Sequence, residues 1–256
     1  MEAASTISPF SSQPPRSLAR TAGLFWLLTI LTSMFAFLMA GQLMVANDAA
    51  ATAANLTEHD ALQRMAFVAN LVATVCYLVV TLLMYVLLKP VNRNLSLMGA
   101  FFSIIGCAIG TVSSLLFLAP LAVLKTGLAP GGFTVEQSQD LALTLLTLSG
   151  RANDIGLVFF GCHVLTIGYL IRHSTFLPRI LGALLFVTGF CYLTNSFAVF
   201  FALPGRAYLM PVVGLGGLLG EGALAGWLLI KSVNIQRWFE QARQASAQAV
   251  LEPRIG

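Results

Sequence analysis

The chain has 256 residues, of which 57% are hydrophobic and only 9% charged, and its mean hydropathy is +0.84. A soluble domain carries roughly 25% charged residues, so most of this surface is built to face something other than water. The net charge of +4 comes from scattered Lys and Arg, with no patch that could track phosphates, which argues against a nucleic-acid partner.

A bilayer core of about 30 Å calls for about 20 apolar residues of helix. Six stretches meet that length: 22–45, 65–88, 97–121, 152–171, 180–202 and 208–230. The fold expected is therefore all-α, a polytopic membrane helical bundle of six transmembrane helices within one domain, residues 19–231. Residues 1–18, rich in Ser, Pro and Gln, read as a disordered cytoplasmic tail. The first apolar run is longer than the roughly 7–15 residues of a signal sequence, so it reads as a retained helix.

The connections alternate in charge. Arg16, Arg20, Lys89, Arg93, Arg172, Arg179, Lys231, Arg237, Arg243 and Arg254 fall on one side. Arg64, Lys125, Arg151 and Arg206 fall on the other, with Asp48, Glu58, Asp60, Glu136 and Asp140. Basic loops stay in the cytoplasm, which puts both termini there. Anionic lipid is then the natural partner of the basic face.

Of the outer connections, 46–60 is Ala-rich, compatible with a short helix, and contains the sequon Asn55-Leu56-Thr57. A Gly/Pro loop over 125–133 leads to Thr134, three residues before Gln137, which is the spacing of a capping box. A helix starting there can run through Gly150 into the fourth span, its first part amphipathic. The sixth span is expected to continue as a helix into a basic, amphipathic cytoplasmic segment, 232–256, with Trp238 and Phe239 at the membrane–water boundary. Three spans on each side of the long outer loop would give the halves opposite topology, as in inverted-repeat transporters. Cys76-Tyr77-Leu78 in span two and Cys191-Tyr192-Leu193 in span five are the one sequence echo between them.

Several stretches carry a resemblance: Ala19-Arg20-Thr21-Ala22-Gly23-Leu24, Leu87-Leu88-Lys89-Pro90-Val91-Asn92-Arg93, the run from Asp154 to Gly161 with His163, and Phe176-Leu177-Pro178-Arg179 with Leu181-Gly182. Over roughly residues 18–230 the chain resembles a bacterial integral membrane family catalogued as domain of unknown function 4386. That resemblance implies a multi-pass protein of the bacterial inner (cytoplasmic) membrane, and carries no established activity or site residue.

Polar residues can be placed by depth at 1.5 Å per residue. His163, nine residues before Arg172, and Glu221, ten before Lys231, both fall near the midplane, about 14 and 15 Å in. An ionisable group there costs about 3 kcal/mol and by default marks function. Gly214, Gly217 and Ala225 share the face of Glu221, so that face packs on another helix. The Gly-rich run 214–222, with Pro211 just before it, is weak as a helix and could be locally unwound. Glu221 reads either as a protonated, hydrogen-bonded packing residue or as half of a proton site with His163. His163 reads either so or as a neutral core histidine. Asp154 and Asn153 would cap an outward helix N-terminus if the helix broke at Gly150. The alternative groups Asp154 with Asn70, Gln42, Asn195 and Tyr192 around a cavity open to the outside. Cys76, Cys107, Cys162 and Cys191 sit at one depth on four spans, but without metal-ligand spacing they read as core packing.

There is no GxxxxGK, GxSxG or HExxH motif, and three dispersed histidines cannot build a three-His zinc site. The favoured function is a small transporter or binder of an apolar or weakly polar molecule, with Asp154, Asn70, Asn195 and Tyr192 lining its cavity and Glu221 and His163 as a midplane proton site. The other reading is a structural or accessory subunit of a larger membrane complex. Its contact surface would be the Gly-rich sixth span, which also suits self-association, and a Phe-rich face (Phe186, Phe190, Phe197, Phe200, Phe201). A lipid- or quinone-modifying enzyme using Asp154 or Glu221 would need a nucleophile or cofactor that the sequence does not offer. The reading leans away from an enzyme and calls for no cofactor or metal.

Overall fold

Six apolar helices long enough to cross a membrane account for most of the chain. The computed structural model describes residues 14–45, 48–126, 132–204 and 209–251. Most of the expected N-terminal tail (through residue 13), most of the Gly/Pro loop and Tyr208, the expected start of the sixth span, lie outside the described residues.

The spans are α1 (Pro15–Leu43), α3 (Asp60–Leu88), α4 (Arg93–Thr126), α5 (Val135–His173), α6 (Arg179–Phe200) and a composite sixth. That last span consists of α7 (Leu209–Gly217), a π-helical turn (Leu218–Gly222) and α8 (Ala223–Ile230). A short outer helix, α2 (Ala49–Glu58), and a C-terminal helix, α9 (Ile235–Leu251), complete the described chain. α1 starts four residues inside the segment read as a tail, because Pro15 sits in its first turn, where a missing N–H costs nothing. α2 is the Ala-rich outer helix, capped by Asp48 Oδ1 on the Ala51 amide at 2.8 Å.

The capping box at Thr134 and Gln137 is formed, with reciprocal bonds of 3.0 and 3.2 Å. From it α5 runs unbroken for 39 residues, through Gly150. At 1.5 Å per residue that is about 58 Å, far more than the hydrocarbon needs, so its first part projects beyond the bilayer. α2 packs there against α4 and α5, where Leu43, Leu56 and Leu146 form a small outer core.

Each span packs on the next: α1 on α3, α3 on α4, α4 on α5, α5 on α6, α6 on α7 and the π turn, and α8 back on α1. The six spans thus close into a ring. In lipid, such packing relies on small residues and interhelical hydrogen bonds, and both are present. Gly168 and Gly182 let α5 and α6 touch backbone to backbone, since a methyl on Gly168 would lie 2.9 Å from the Gly182 carbonyl oxygen. Ser113 and Ser149 exchange hydroxyl-to-carbonyl bonds of 2.8 Å between α4 and α5. Thr81 and Ser103 join α3 to α4 at 2.6 Å. The outward surface is apolar, as at Leu115, Phe190 and Phe201.

The helix does not continue past Ile230 into the C-terminal segment. The backbone turns at Ser232 through φ +64°, and Ser232 Oγ donates to the Arg16 carbonyl at 3.2 Å, tying the end of the last span to the start of the first. α9 then folds back under the bundle, where Trp238 Nε1 donates to the Leu87 carbonyl at 2.9 Å.

Candidate functional site

The ring of spans converges on one carboxyl. Glu221 is buried within the π turn, and both its oxygens accept hydrogen bonds. Trp26 Nε1 of α1 donates to Oε2 at 2.9 Å, and the Tyr192 hydroxyl of α6 donates to Oε1 at 2.7 Å. Tyr77 of α3 lies beside the same carboxyl. Trp26 is fully buried, and its ring meets Tyr77 edge-on at 6.0 Å; Tyr77 in turn meets Phe160 of α5 edge-on at 5.2 Å. No ion pair among the described residues reaches Glu221; those present join Asp60 to Arg64 and Lys125 at the outer surface.

The local fold explains why the carboxyl sits here. The Gly-rich run is not unwound, as its composition suggested, but turns once as a π-helix. The Thr188 hydroxyl of α6 donates to the Gly216 carbonyl at 2.6 Å, giving that carbonyl a partner outside its own helix. A π turn admits one extra residue and re-phases the side chains that follow by about 100°. The glycines let α6 approach: a methyl on Gly217 would lie 2.7 Å from the Tyr192 hydroxyl, and one on Gly216 would lie 3.1 Å from Cys191 Sγ. These glycines are therefore engaged inside the bundle, while Gly214 and Gly226 meet nothing. Ala225, on the far side of the turn, is buried where α8 crosses Gly23 of α1.

His163 lies in the same central layer but is not bonded to Glu221. Its Nδ1 bonds the Gly99 carbonyl of α4 at 2.8 Å, which assigns the proton to Nδ1. The Nε2 that is left is buried, with no hydrogen-bond partner among the described residues. Between His163 and Glu221 stands Tyr77, its ring 5.8 Å from the imidazole. The direct His–Glu pairing is thus replaced by an aromatic spacer.

The expected outer cavity is distributed differently. Tyr192 faces inward to Glu221, not outward. Asp154 lies within α5, not at a helix N-terminus, because the helix does not break at Gly150; its carbonyl accepts from Ser196 Oγ at 2.8 Å. Asn195 is 1% exposed, and neither of its amide atoms has a hydrogen-bond partner among the described residues. Asn70 is half-buried on α3, its carbonyl accepting from Thr74 at 2.9 Å.

Two adjoining recesses of about 430 and 310 Å³ open instead between α6 and α7, on the lipid side. Leu193 and Phe197 line the first, Phe190, Cys191 and Val212 the second, and Thr194 and Leu209 line both. Cys191 is the wall between the second recess and the Gly216–Gly217 contact, one residue from Tyr192. The four cysteines are free thiols, and no cluster of three His, Cys, Asp or Glu occurs among the described residues.

Sequence reasoning missed Trp26 and Tyr77 as members of the site. Tyr77 carried a signal, since both tyrosines of the Cys-Tyr-Leu echo reach Glu221. Trp26 carried a weaker one: a tryptophan mid-span has an N–H that needs a partner when buried.

The chain belongs to the family described as domain of unknown function (DUF4386), which it matches over residues 21–232. An uncharacterised protein of Archaeoglobus fulgidus is 28% identical over 152 residues, spanning 59% of this chain and 74% of its own length. Of the localisation expectation, the six apolar helices support a multi-pass membrane protein. No solved structure matches the chain.

Proposed function

We propose that this member of the DUF4386 family is a small membrane transporter or binder of a lipophilic, weakly polar molecule, with Glu221 as its proton-exchanging site. One observation carries the reading: a single carboxyl, on a π turn, is held where spans from both halves of the chain converge. π turns inside α-helices frequently occur at functional sites, and an acid at mid-membrane depth is costly to keep.

The hydrogen bonds suit two protonation states. The Trp26 N–H can only donate, so Oε2 remains an acceptor throughout. A hydroxyl both donates and accepts, so the Tyr192 O–H can donate to an ionised Oε1 and accept from a protonated one. The titratable groups facing this carboxyl are Tyr77 from α3, Tyr192 from α6 and, beyond Tyr77, Cys107 from α4 and His163 from α5. The recesses between α6 and α7 supply a lateral route from lipid, and Asn195, Asn70 and Asp154 supply polar groups on the outer side. Counting basic residues by face supports a cytoplasmic membrane with both ends of the bundle inside.

Infrared difference spectra of the protein in nanodiscs, collected through the neutral pH range for the wild type and Glu221→Gln, test the proton site. A carboxyl band that titrates in the wild type and is missing from the variant is the expected result. A band that stays fixed across that range refutes proton exchange. A second reading, an accessory subunit, is favoured by the exposed aromatic strip Phe190, Phe197, Phe200 and Phe201 on and just beyond α6. It predicts a stoichiometric partner on purification in mild detergent, and consistent isolation alone counts against it.

A further inference from the structure

We infer that the molecule exchanged for the proton at Glu221 is a lipophilic organic cation, an amine or quaternary ammonium or phosphonium compound. This inference rests on the proton-site reading and names its substrate class.

The walls of the site decide the class. Trp26 and Tyr192 turn neutral donors to the carboxyl, Tyr77 lies beside it, and among the described residues no Lys or Arg side chain forms an ion pair with it. An anion would be repelled by the carboxylate. A neutral molecule brings no opposite charge to drive the proton off. A cation does, since a desolvated carboxylate favours an opposite charge. The approach sets the second requirement. The recesses beside Cys191 are lined by Leu193, Phe197, Leu209 and Val212, with Thr194 as their polar exception. A ligand taking that route must be soluble in hydrocarbon.

The hydrogen-bond donors then act as competitors of the substrate. The Tyr192 hydroxyl occupies Oε1 at 2.7 Å and itself lies against Gly217, at the glycine-lined seam between α6 and α7. Arrival of the cation displaces this donor and the acid gives up its proton: carboxylic acid plus cation becomes a carboxylate–cation pair plus one released proton. At this seam α7 meets α6 through Gly216 and Gly217, so backbone and not side chains separates the recess from the carboxyl.

Tetraphenylphosphonium and tetraphenylborate, ions of matched shape and opposite charge, provide the test. Binding to the intact protein in nanodiscs is followed by calorimetry, and proton release by a pH-sensitive dye in weak buffer. Tetraphenylphosphonium is expected to bind saturably with proton release, and tetraphenylborate not to bind saturably. Glu221→Gln is expected to abolish the release and weaken binding at least about ten-fold. Tyr192→Phe keeps the carboxyl and the ring but removes the competing donor, so it is expected to bind tetraphenylphosphonium about ten-fold more tightly. A residue that served packing alone would not give that gain, and the variant remains informative if Glu221→Gln fails to fold. Equal binding of the two ions, no saturable tetraphenylphosphonium binding, or unchanged or weakened binding in Tyr192→Phe overturns the cation assignment. The titrating infrared band of Glu221 would survive such a result, so failure of the substrate class is distinguishable from failure of the proton site.

Discussion

Gly220→Ala is the sharpest test of the geometry that holds Glu221 in place. A methyl at Gly220 would fall on Thr188 Oγ1, 2.9 Å from the Leu184 carbonyl oxygen and 3.2 Å from its carbon. Because two of those contacts are backbone, α6 cannot make room by a rotamer change alone. Overpacking of this kind costs typically 1–3 kcal/mol. Moving Thr188 also strains its 2.6 Å bond to the Gly216 carbonyl, worth about 1 kcal/mol. The sum is about 2–4 kcal/mol, and at roughly 2–4 °C per kcal/mol for a chain of this size it lowers the melting temperature by roughly 5–15 °C. Gly226→Ala, in the same span, is the control. Nothing lies within 4 Å of its added methyl, and helix propensity alone favours the change by up to about 1 kcal/mol. Melting of both variants in one detergent, followed by tryptophan fluorescence, reads the difference. If the two melt together, α6 does not lie against the π turn and the placement of Glu221 falls with it.

Two further outcomes follow from single hydrogen bonds. Trp26→Phe keeps the ring packing but leaves Glu221 Oε2 without its donor, for an expected loss of about 1–3 kcal/mol; melting equal to the wild type would contradict the bond. Trp238→Phe removes the bond to the Leu87 carbonyl and is expected to loosen α9 alone, at a cost of about 1 kcal/mol. Hydrogen exchange should rise over residues 235–251 with the spans unchanged, and a rise throughout the spans would show that α9 holds the bundle together.

The spans were legible because hydropathy and length are local properties. The fourth was also readable beyond the membrane, since Thr134 and Gln137 announce the capping box three residues apart. The place of Glu221 along the sixth span was legible too, as it needs only counting back from Lys231. Helix rotation was not. Whether His163 faces Glu221 depends on how α5 turns against α3 and α4, and the structure answers with Tyr77 between them. The π turn was equally hidden: glycines mark a weak helix, but the partner taken by the Gly216 carbonyl, Thr188, is 28 residues away. The stop at Lys231 escaped for a similar reason, since Ser232 turns back to reach Arg16. The two Cys-Tyr-Leu triplets meant nothing as three-residue matches, and gain meaning because their helices run in opposite directions and deliver both tyrosines to one acid.

The closure of the ring ties its first span to its last. The carboxyl that takes the Trp26 N–H lies 195 residues later, and the Ser232 bond to Arg16 spans 216. Without the sixth span, the buried Trp26 indole and the Tyr192 hydroxyl would both lack the acceptor they now share. The carboxyl that marks the candidate site is therefore also a clasp that joins α1 and α6 to the sixth span.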